Sequence, residues 1–229
     1  MDFPIIINKY LALNKICSRK ESDRLLKAGK VFINGRLAEP GQMVQRGDKV
    51  EAEAKTDFVY LAYNKPRGII THSPQGGERS ITDIIKAKEK VFPLGRLDKD
   101  SYGLIILTND GRITDRLLSP DFAHEKEYEV VLARPMAADF LKRMSSGVVL
   151  DDGYKTKPCR ARKTGERKFS IVLTEGKKRQ IRRMCQALGQ RVVDLKRVRV
   201  MNIELGDLPV GRHRNLAGEE LEAFLKDLI

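Results

Sequence analysis

Two carboxylates two residues apart, Asp98 and Asp100, are interleaved with Arg96 and Lys99 just before Gly103. An acid placed there is either half of a structural ion pair or a tuned chemical group, and most paired or perturbed acids are structural. The spacing also fits the paired carboxylates of glycoside hydrolysis. Two further groups have chemical potential. On a predicted strand over 125–132, alternation puts Lys126 and Tyr128 on the face that carries Val130 and Leu132, so an ammonium and a phenol share a surface with core residues. On a predicted helix over 178–188, Arg179, Arg182 and Arg183 lie beside a buried stripe, and arginine is preferred where a phosphate or carboxylate must be gripped by a fork. His72, His124 and His213 are too far apart to suggest a metal site, and Cys17, Cys159 and Cys185 fit neither a zinc site nor a disulfide framework. We expect the three thiols to be free and buried.

The elements that must hold these groups are legible as periodicities. Residues 104–107 form a short apolar run closed by Asn109-Asp110-Gly111, the pattern of a buried strand, and it follows the two aspartates directly. Residues 58–64 read as a second strand, ended by Lys65-Pro66-Arg67-Gly68, where proline cannot extend a ladder. Ser80, with Asp83 three residues on, caps a short helix bearing Ile81, Ile84 and Ile85. Ile181, Met184, Cys185 and Leu188 recur at helical spacing, residues 192–200 alternate basic with apolar, and Leu221, Phe224, Leu225 and Leu228 mark a closing helix.

Ahead of this lies a smaller unit. Ser18 and Glu21 have capping-box spacing and Gly29 stands where a C-terminal cap belongs, so 18–29 is a helix on which Lys20, Arg24 and Lys27 share one face. A hairpin turning at Asn34-Gly35 follows, then a turn at Arg46-Gly47-Asp48. Residues 51–57 are polar and short, which divides the chain into domains at 1–53 and 58–229.

The 229 residues carry a formal net charge of +13, and all of that excess lies between Lys155 and Val200, where 16 Lys/Arg face Glu166, Glu175 and Asp194. Such density means a polyanionic partner held by salt-sensitive phosphate contacts. An acidic membrane surface fits less well, since the basic segments do not build one amphipathic helix. No run of 18 apolar residues and no signal-like N-terminus is present, so we expect a cytosolic protein with no membrane partner.

Residues 8–50, with Lys9-Tyr10-Leu11-Ala12, Cys17-Ser18-Arg19-Lys20-Glu21-Ser22, Gly29-Lys30-Val31-Phe32-Ile33-Asn34-Gly35 and Gly47-Asp48-Lys49-Val50, resemble the αL RNA-binding domain of the S-four type. The resemblance implies binding to structured RNA through the helix with Arg19, Lys20, Arg24 and Lys27. Gly95-Arg96-Leu97-Asp98-Lys99-Asp100-Ser101, Lys126-Glu127-Tyr128 and Gly176-Lys177-Lys178-Arg179-Gln180-Ile181-Arg182-Arg183-Met184 resemble the three signature motifs of RNA pseudouridine synthases, in the RsuA/RluB/RluE/RluF group. Met184-Cys185-Gln186, Val198-Arg199-Val200-Met201-Asn202 and His124-Glu125-Lys126 are most similar to its RluF-like, large-subunit members.

That resemblance implies an α+β fold, a small N-terminal S-four-type domain followed by a catalytic domain with a mixed, mainly antiparallel sheet flanked by helices. It implies isomerisation of a uridine in ribosomal RNA, or in a structured tRNA, with no cofactor or metal and no need for more than a monomer. Asp98 becomes the catalytic aspartate, which could attack or stabilise the sugar or remove a sugar proton. Arg182 becomes its guanidinium partner, and Tyr128 the group that stacks on the uracil and serves proton transfer at C5. Arg96 becomes a wedge or phosphate contact during base flipping, and Lys126, Arg179 and Arg183 RNA contacts. Asp100 stays structural. A non-catalytic RNA-binding assembly factor and an RNA N-glycosylase are the alternatives.

Overall fold

The structure is a computed structural model that describes residues 2–54 and 57–229. The N-terminal unit runs β1 (Ile5–Ile6), α1 (Ile7–Leu13), α2 (Arg19–Lys27), β2 (Val31–Ile33), β3 (Arg36–Leu37), β4 (Met43–Val44) and β5 (Val50–Ala52). Helix α2 starts where Ser18 Oγ accepts the Glu21 N–H at 3.2 Å, so one half of the expected capping box is made. It ends in a Schellman arrangement: Lys30 N–H donates to Leu25 and Gly29 N–H to Leu26, with Gly29 at φ +69°. Leu25 and Leu26 are buried against Ile7, Leu11, Val31 and Val44, which leaves Lys20, Arg24 and Lys27 in solvent. Asn34 and Gly35 both take positive φ, as the two-residue hairpin turn requires. The polar segment expected over 51–57 begins as strand, because Glu51 and Ala52 pair with Phe32 and Val31. Lys55 and Thr56 of that segment lie outside the described residues.

The larger unit continues with β6 (Tyr60–Lys65), α3 (Ile81–Ile84), β7 (Phe92–Leu94), β8 (Tyr102–Thr108), α4 (Thr114–Leu118), a 3-10 turn (Pro120–Phe122), β9 (Lys126–Leu132), α5 (Phe140–Ser145), β10 (Arg160–Gly165), β11 (Lys168–Leu173), α6 (Gln180–Ala187), β12 (Val192–Val200), β13 (Ile203–Glu204), β14 (His213–Asn215) and α7 (Gly218–Lys226). Nine strands make one sheet in the order β10-β11-β9-β12-β8-β6-β14, with β13 on β12 and β7 on β8. Only the β12–β8 pair is parallel. The sheet is therefore mixed and mainly antiparallel.

Strand β8 is the anchor. Leu104, Ile105, Ile106 and Leu107 are each at most 1% exposed, and each such side chain contributes roughly 1.5–3 kcal/mol through burial. Ile105 and Leu107 pack with Leu61, Tyr63, Ile81 and Leu97, while Leu104 and Ile106 pack with Ile113, Leu117 and Phe224 from α4 and α7. A strand clamped on both faces holds the loop before it still. Beyond β8, a Cβ at Gly111 would lie 2.8 Å from Ser18 Cβ and Oγ, so a glycine is needed where the cap of α2 meets the larger domain.

Candidate active site

Asp98 sits in the 95–101 loop between β7 and β8, and that loop is gripped through its main chain. Lys65, the last residue of β6, is fully buried, and its ammonium donates to the carbonyls of Pro66 (3.0 Å), Asp98 (3.2 Å) and Ser101 (2.9 Å). All three donors of the ammonium are used. On the other side of the loop Thr71 Oγ1 donates to Leu97 O at 2.8 Å and accepts Leu97 N–H at 3.0 Å. With the backbone so held, the half-buried Asp98 carboxylate makes no hydrogen bond or ion pair among the described residues. Burial pushes Lys65 down to about 8, Arg197 adds to that, and Asp98 and Asp100 pull the other way.

The floor beneath Asp98 is a single row across four strands. Tyr128 of β9 pairs with Arg197 of β12, Arg197 with Gly103 of β8, and Gly103 with Lys65 of β6. Paired residues in a ladder point the same way, so Tyr128, Arg197 and Lys65 face one side of the sheet. Gly103 is required at the crossing, since it takes φ +107° and a Cβ there would fall 2.2 Å from Arg197 O. Arg197, only 4% exposed, donates to Leu104 O at 2.6 Å and Arg96 O at 3.3 Å. Tyr128 packs against both hydrophobic clusters that flank the row. Lys126, one turn of the pleat away, donates to His124 O at 2.9 Å, and burial, then Arg197, push it down to about 8. Lys65, Lys126 and Arg197 thus lie together with main-chain carbonyls as partners.

Helix α6 closes the other side. Its N-cap, Arg179, adopts φ +53°, a strained conformation for a residue with a Cβ, and pairs with Asp100 at 3.5 Å. Both partners are exposed, so the pair contributes little and Asp100 keeps its structural reading. Arg182 does not form the expected fork on Asp98. Its guanidinium donates to Asp100 O and Ser101 Oγ, each at 3.4 Å, and to Val192 O at 3.3 Å. The loop's carbonyl and the buried Ser101 hydroxyl are nearer to α6 than the carboxylate is, so they take the donors, and Arg182 Nε stays buried and unpartnered. Burial, then Arg179, lower the Arg182 guanidinium, with Asp100 and Asp98 opposing.

The three arginines of α6 therefore part company. Arg183 turns to Asp151 and Asp152 instead of the Asp98 loop. Arg96 is exposed at the loop's entrance, and Arg19, Lys20, Arg24 and Lys27 are exposed on α2, where Arg24 also pairs with Glu21 at 2.8 Å. The alternation of basic with apolar residues over 192–200 does not gather its cations on one face. Arg197 follows buried Leu195 onto the covered side of an unbroken stretch of ladder, while Lys196 and, past a register shift, Arg199 meet Glu129, Glu125 and Glu127. Sequence reasoning missed Lys65 and Arg197. The available signal for Lys65 was a lysine ending the otherwise uncharged run Tyr60-Leu61-Ala62-Tyr63-Asn64. Cys17 and Cys185 are buried as expected, and Cys159 is only partly so.

With this geometry in view, residues 59–187 match the family described as RNA pseudouridylate synthase, and residues 7–50 match the S4 domain. The chain belongs to the RNA pseudouridylate synthase family. The dual-specificity RNA pseudouridine synthase RluF of Escherichia coli K12 is 41% identical over 98% of this chain and 80% of its own length. The ribosomal large subunit pseudouridine synthase B of Bacillus subtilis is 32% identical over 94% of this chain and 93% of its own. A crystal structure of a pseudouridylate synthase superposes with a TM-score of 0.71 at 27% identity, covering 98% of this chain and all of that one. The chain is thus an RNA pseudouridine synthase, an isomerase of the RsuA type with an N-terminal RNA-binding S4 domain. Asp98, Tyr128, Lys65 and Arg182 lie within the 59–187 match, and Arg197 of the floor lies just beyond it.

Proposed function

We propose that this synthase isomerises a uridine of ribosomal RNA, in the large subunit, with Asp98, Tyr128 and Arg182 forming the catalytic site. The observation that carries the assignment is the Asp98 carboxylate, half-buried and without a side-chain partner among the described residues, on a loop whose backbone is tied down by Lys65, Thr71 and Arg182. A carboxylate so held is free to meet a ribose. The reaction breaks C1′–N1, turns the uracil, joins C1′ to C5, releases the C5 proton and protonates N1, so bonds, protons and electrons balance with no redox partner. Asp98 acts at the sugar, by attack on C1′, by stabilising its positive charge or by removing a sugar proton. As the C1′–N1 bond breaks, negative charge develops on the uracil. Lys65, Lys126 and Arg197 supply a fixed positive floor for it.

Tyr128, in the floor row, stacks on the turned base, and its hydroxyl serves proton transfer at C5. Arg182 is a positioning residue acting through the 100–101 main chain. The uridine must leave its stack to arrive here, and Arg96 at the entrance occupies the gap or holds a flanking phosphate. Helix α2 supplies RNA affinity through Arg19, Lys20, Arg24 and Lys27, while Arg179 and Arg183 bind RNA only by giving up Asp100 and Asp151/Asp152. Large-subunit RNA as substrate is supported by the relatives' names, and the dual-specificity name of the RluF relatives supports a structured tRNA as a second one. On this reading the protein works in the cytosol as a monomer. The test is tritium release to water from C5-tritiated uridine in a large-subunit RNA transcript. Release without free uracil is expected; free uracil, or no release from any ribosomal or transfer RNA, contradicts the proposal.

A further inference from the structure

Strand β10 is the outer strand of the nine-stranded sheet, and its hairpin with β11 carries Arg162, Lys163, Arg167 and Lys168 against a single acid, Glu166. All four cations are exposed, and among the described residues none has a carboxylate partner. The neighbouring cations are treated differently. At the start of β10 itself Arg160 meets Glu125 at 2.7 Å, and on β12 Arg199 meets Glu125 and Glu127, each at 3.0 Å. Charges on an edge strand discourage pairing with another chain. Acids serve that end as well as bases do, however, and a one-sign cluster that spans the turn as well as the ladder repels itself unless an anion is present.

The topology says which anion. Ala161 of β10 pairs with Ile171 of β11, and Ile171 pairs with Tyr128 of β9, so this edge lies in the same sheet row as the catalytic tyrosine, two strand spacings or about 10 Å away. The register slips between Lys163 and Gly165, which twists the hairpin tip out of the plane of the ladder. RNA whose uridine reaches Tyr128 carries its neighbouring phosphates past this edge. We infer that the β10–β11 hairpin is a phosphate-binding edge for the RNA flanking the target uridine, separate from the N-terminal domain and from the catalytic floor. This rests on the RNA pseudouridine synthase reading and extends it by a second, sequence-independent grip.

The test is a variant with Arg162, Lys163, Arg167 and Lys168 all changed to Ala, and a milder one with Arg167→Gln and Lys168→Gln, each checked for folding by circular dichroism. Affinity for an unmodified large-subunit RNA transcript is read over a range of salt. The quadruple variant is expected to bind about tenfold or more weakly at physiological salt and to lose roughly 3 from the slope of log affinity against log salt, at about 0.7–0.9 per phosphate contact. The double variant should lose about half of that slope, and tritium release at saturating RNA should stay within about twofold of the unaltered protein in both. Folded variants with unchanged affinity and slope would overturn the inference. So would variants that lose binding only to phosphatidylserine vesicles while keeping RNA affinity. The salt slope is readable whether or not the unaltered protein releases tritium, so failure of the isomerisation proposal and failure of this one are separate results.

Discussion

In the cleft floor Lys65, Lys126 and Arg197 are withdrawn from water and donate to main-chain carbonyls, whereas on α2 Lys20, Arg24 and Lys27 stand in solvent with Glu21 as their one paired acid. Both regions are cationic, yet the energetics differ. Burying a charge without a carboxylate costs several kcal/mol, a cost that persists where an anion must be met or held. An exposed cation costs almost nothing and returns affinity that salt can remove. On the function proposed above, the floor acts on one carboxylate and one base and α2 holds a chain of phosphates whatever its sequence, so that positioning belongs to the buried set and affinity to the exposed set.

That division can be broken in stages. Arg182→Ala frees the 100–101 segment from α6, and a shift of the loop by about an ångström is expected to cut turnover roughly a hundredfold. RNA affinity should change by no more than about threefold; equal losses in both would erase the distinction between positioning and binding. The next effect is one of pH. Lys65 and Lys126 are both held near 8 in the folded protein by burial, below the ordinary lysine value of 10.5. Between those values the unfolded chain binds more protons than the folded one, so stability contributed by these groups rises with pH across the window. Catalysis should move the other way, falling up to about tenfold as the ammonium groups of the floor lose their protons. Lys126→Met should flatten part of both trends in melting temperature and single-turnover rate, and a variant that follows the same two curves as the unaltered protein would exclude Lys126 from the floor's work. The smallest effect is expected on α2. Lys20→Ala with Arg24→Ala should weaken binding about three- to tenfold and lower the salt slope by about 2, with the rate at saturating RNA unchanged.

Much of this arrangement is readable along the chain, and the exceptions have physical causes. The apolar run of β8, the alternation of β9, the stripe of α6 and the caps of α2 are local patterns, so their elements and the loop carrying Asp98 follow from them. Helix α1 is less visible because it spans only seven residues and has no side-chain cap. Arg197 was hidden because an arginine in a strand is expected to face solvent, whereas it follows Leu195 onto the covered side and is satisfied there by the carbonyls of Leu104 and Arg96. Lys65 was passed over because a lysine before proline reads as a strand end; its one local trace is the uncharged run before it, and its burial is set by three carbonyl partners from residues up to 36 positions away. Arg182 was expected on a carboxylate, since side-chain chemistry suggests that match, but main-chain carbonyls leave no trace in a sequence. The row from Tyr128 to Lys65 depends on the parallel β12–β8 contact, which brings together residues more than 90 positions apart.

The most direct test of the account is Asp98→Asn, with single-turnover tritium release and RNA affinity measured on the same preparation. Among the described residues the carboxylate has no hydrogen-bond or ion-pair partner, so its replacement should leave the loop, the affinity and the salt slope unchanged within about twofold while abolishing release. Release within about tenfold of the unaltered protein, or a loss of affinity that matches the loss of rate, would show that Asp98 is not the group on which the chemistry turns.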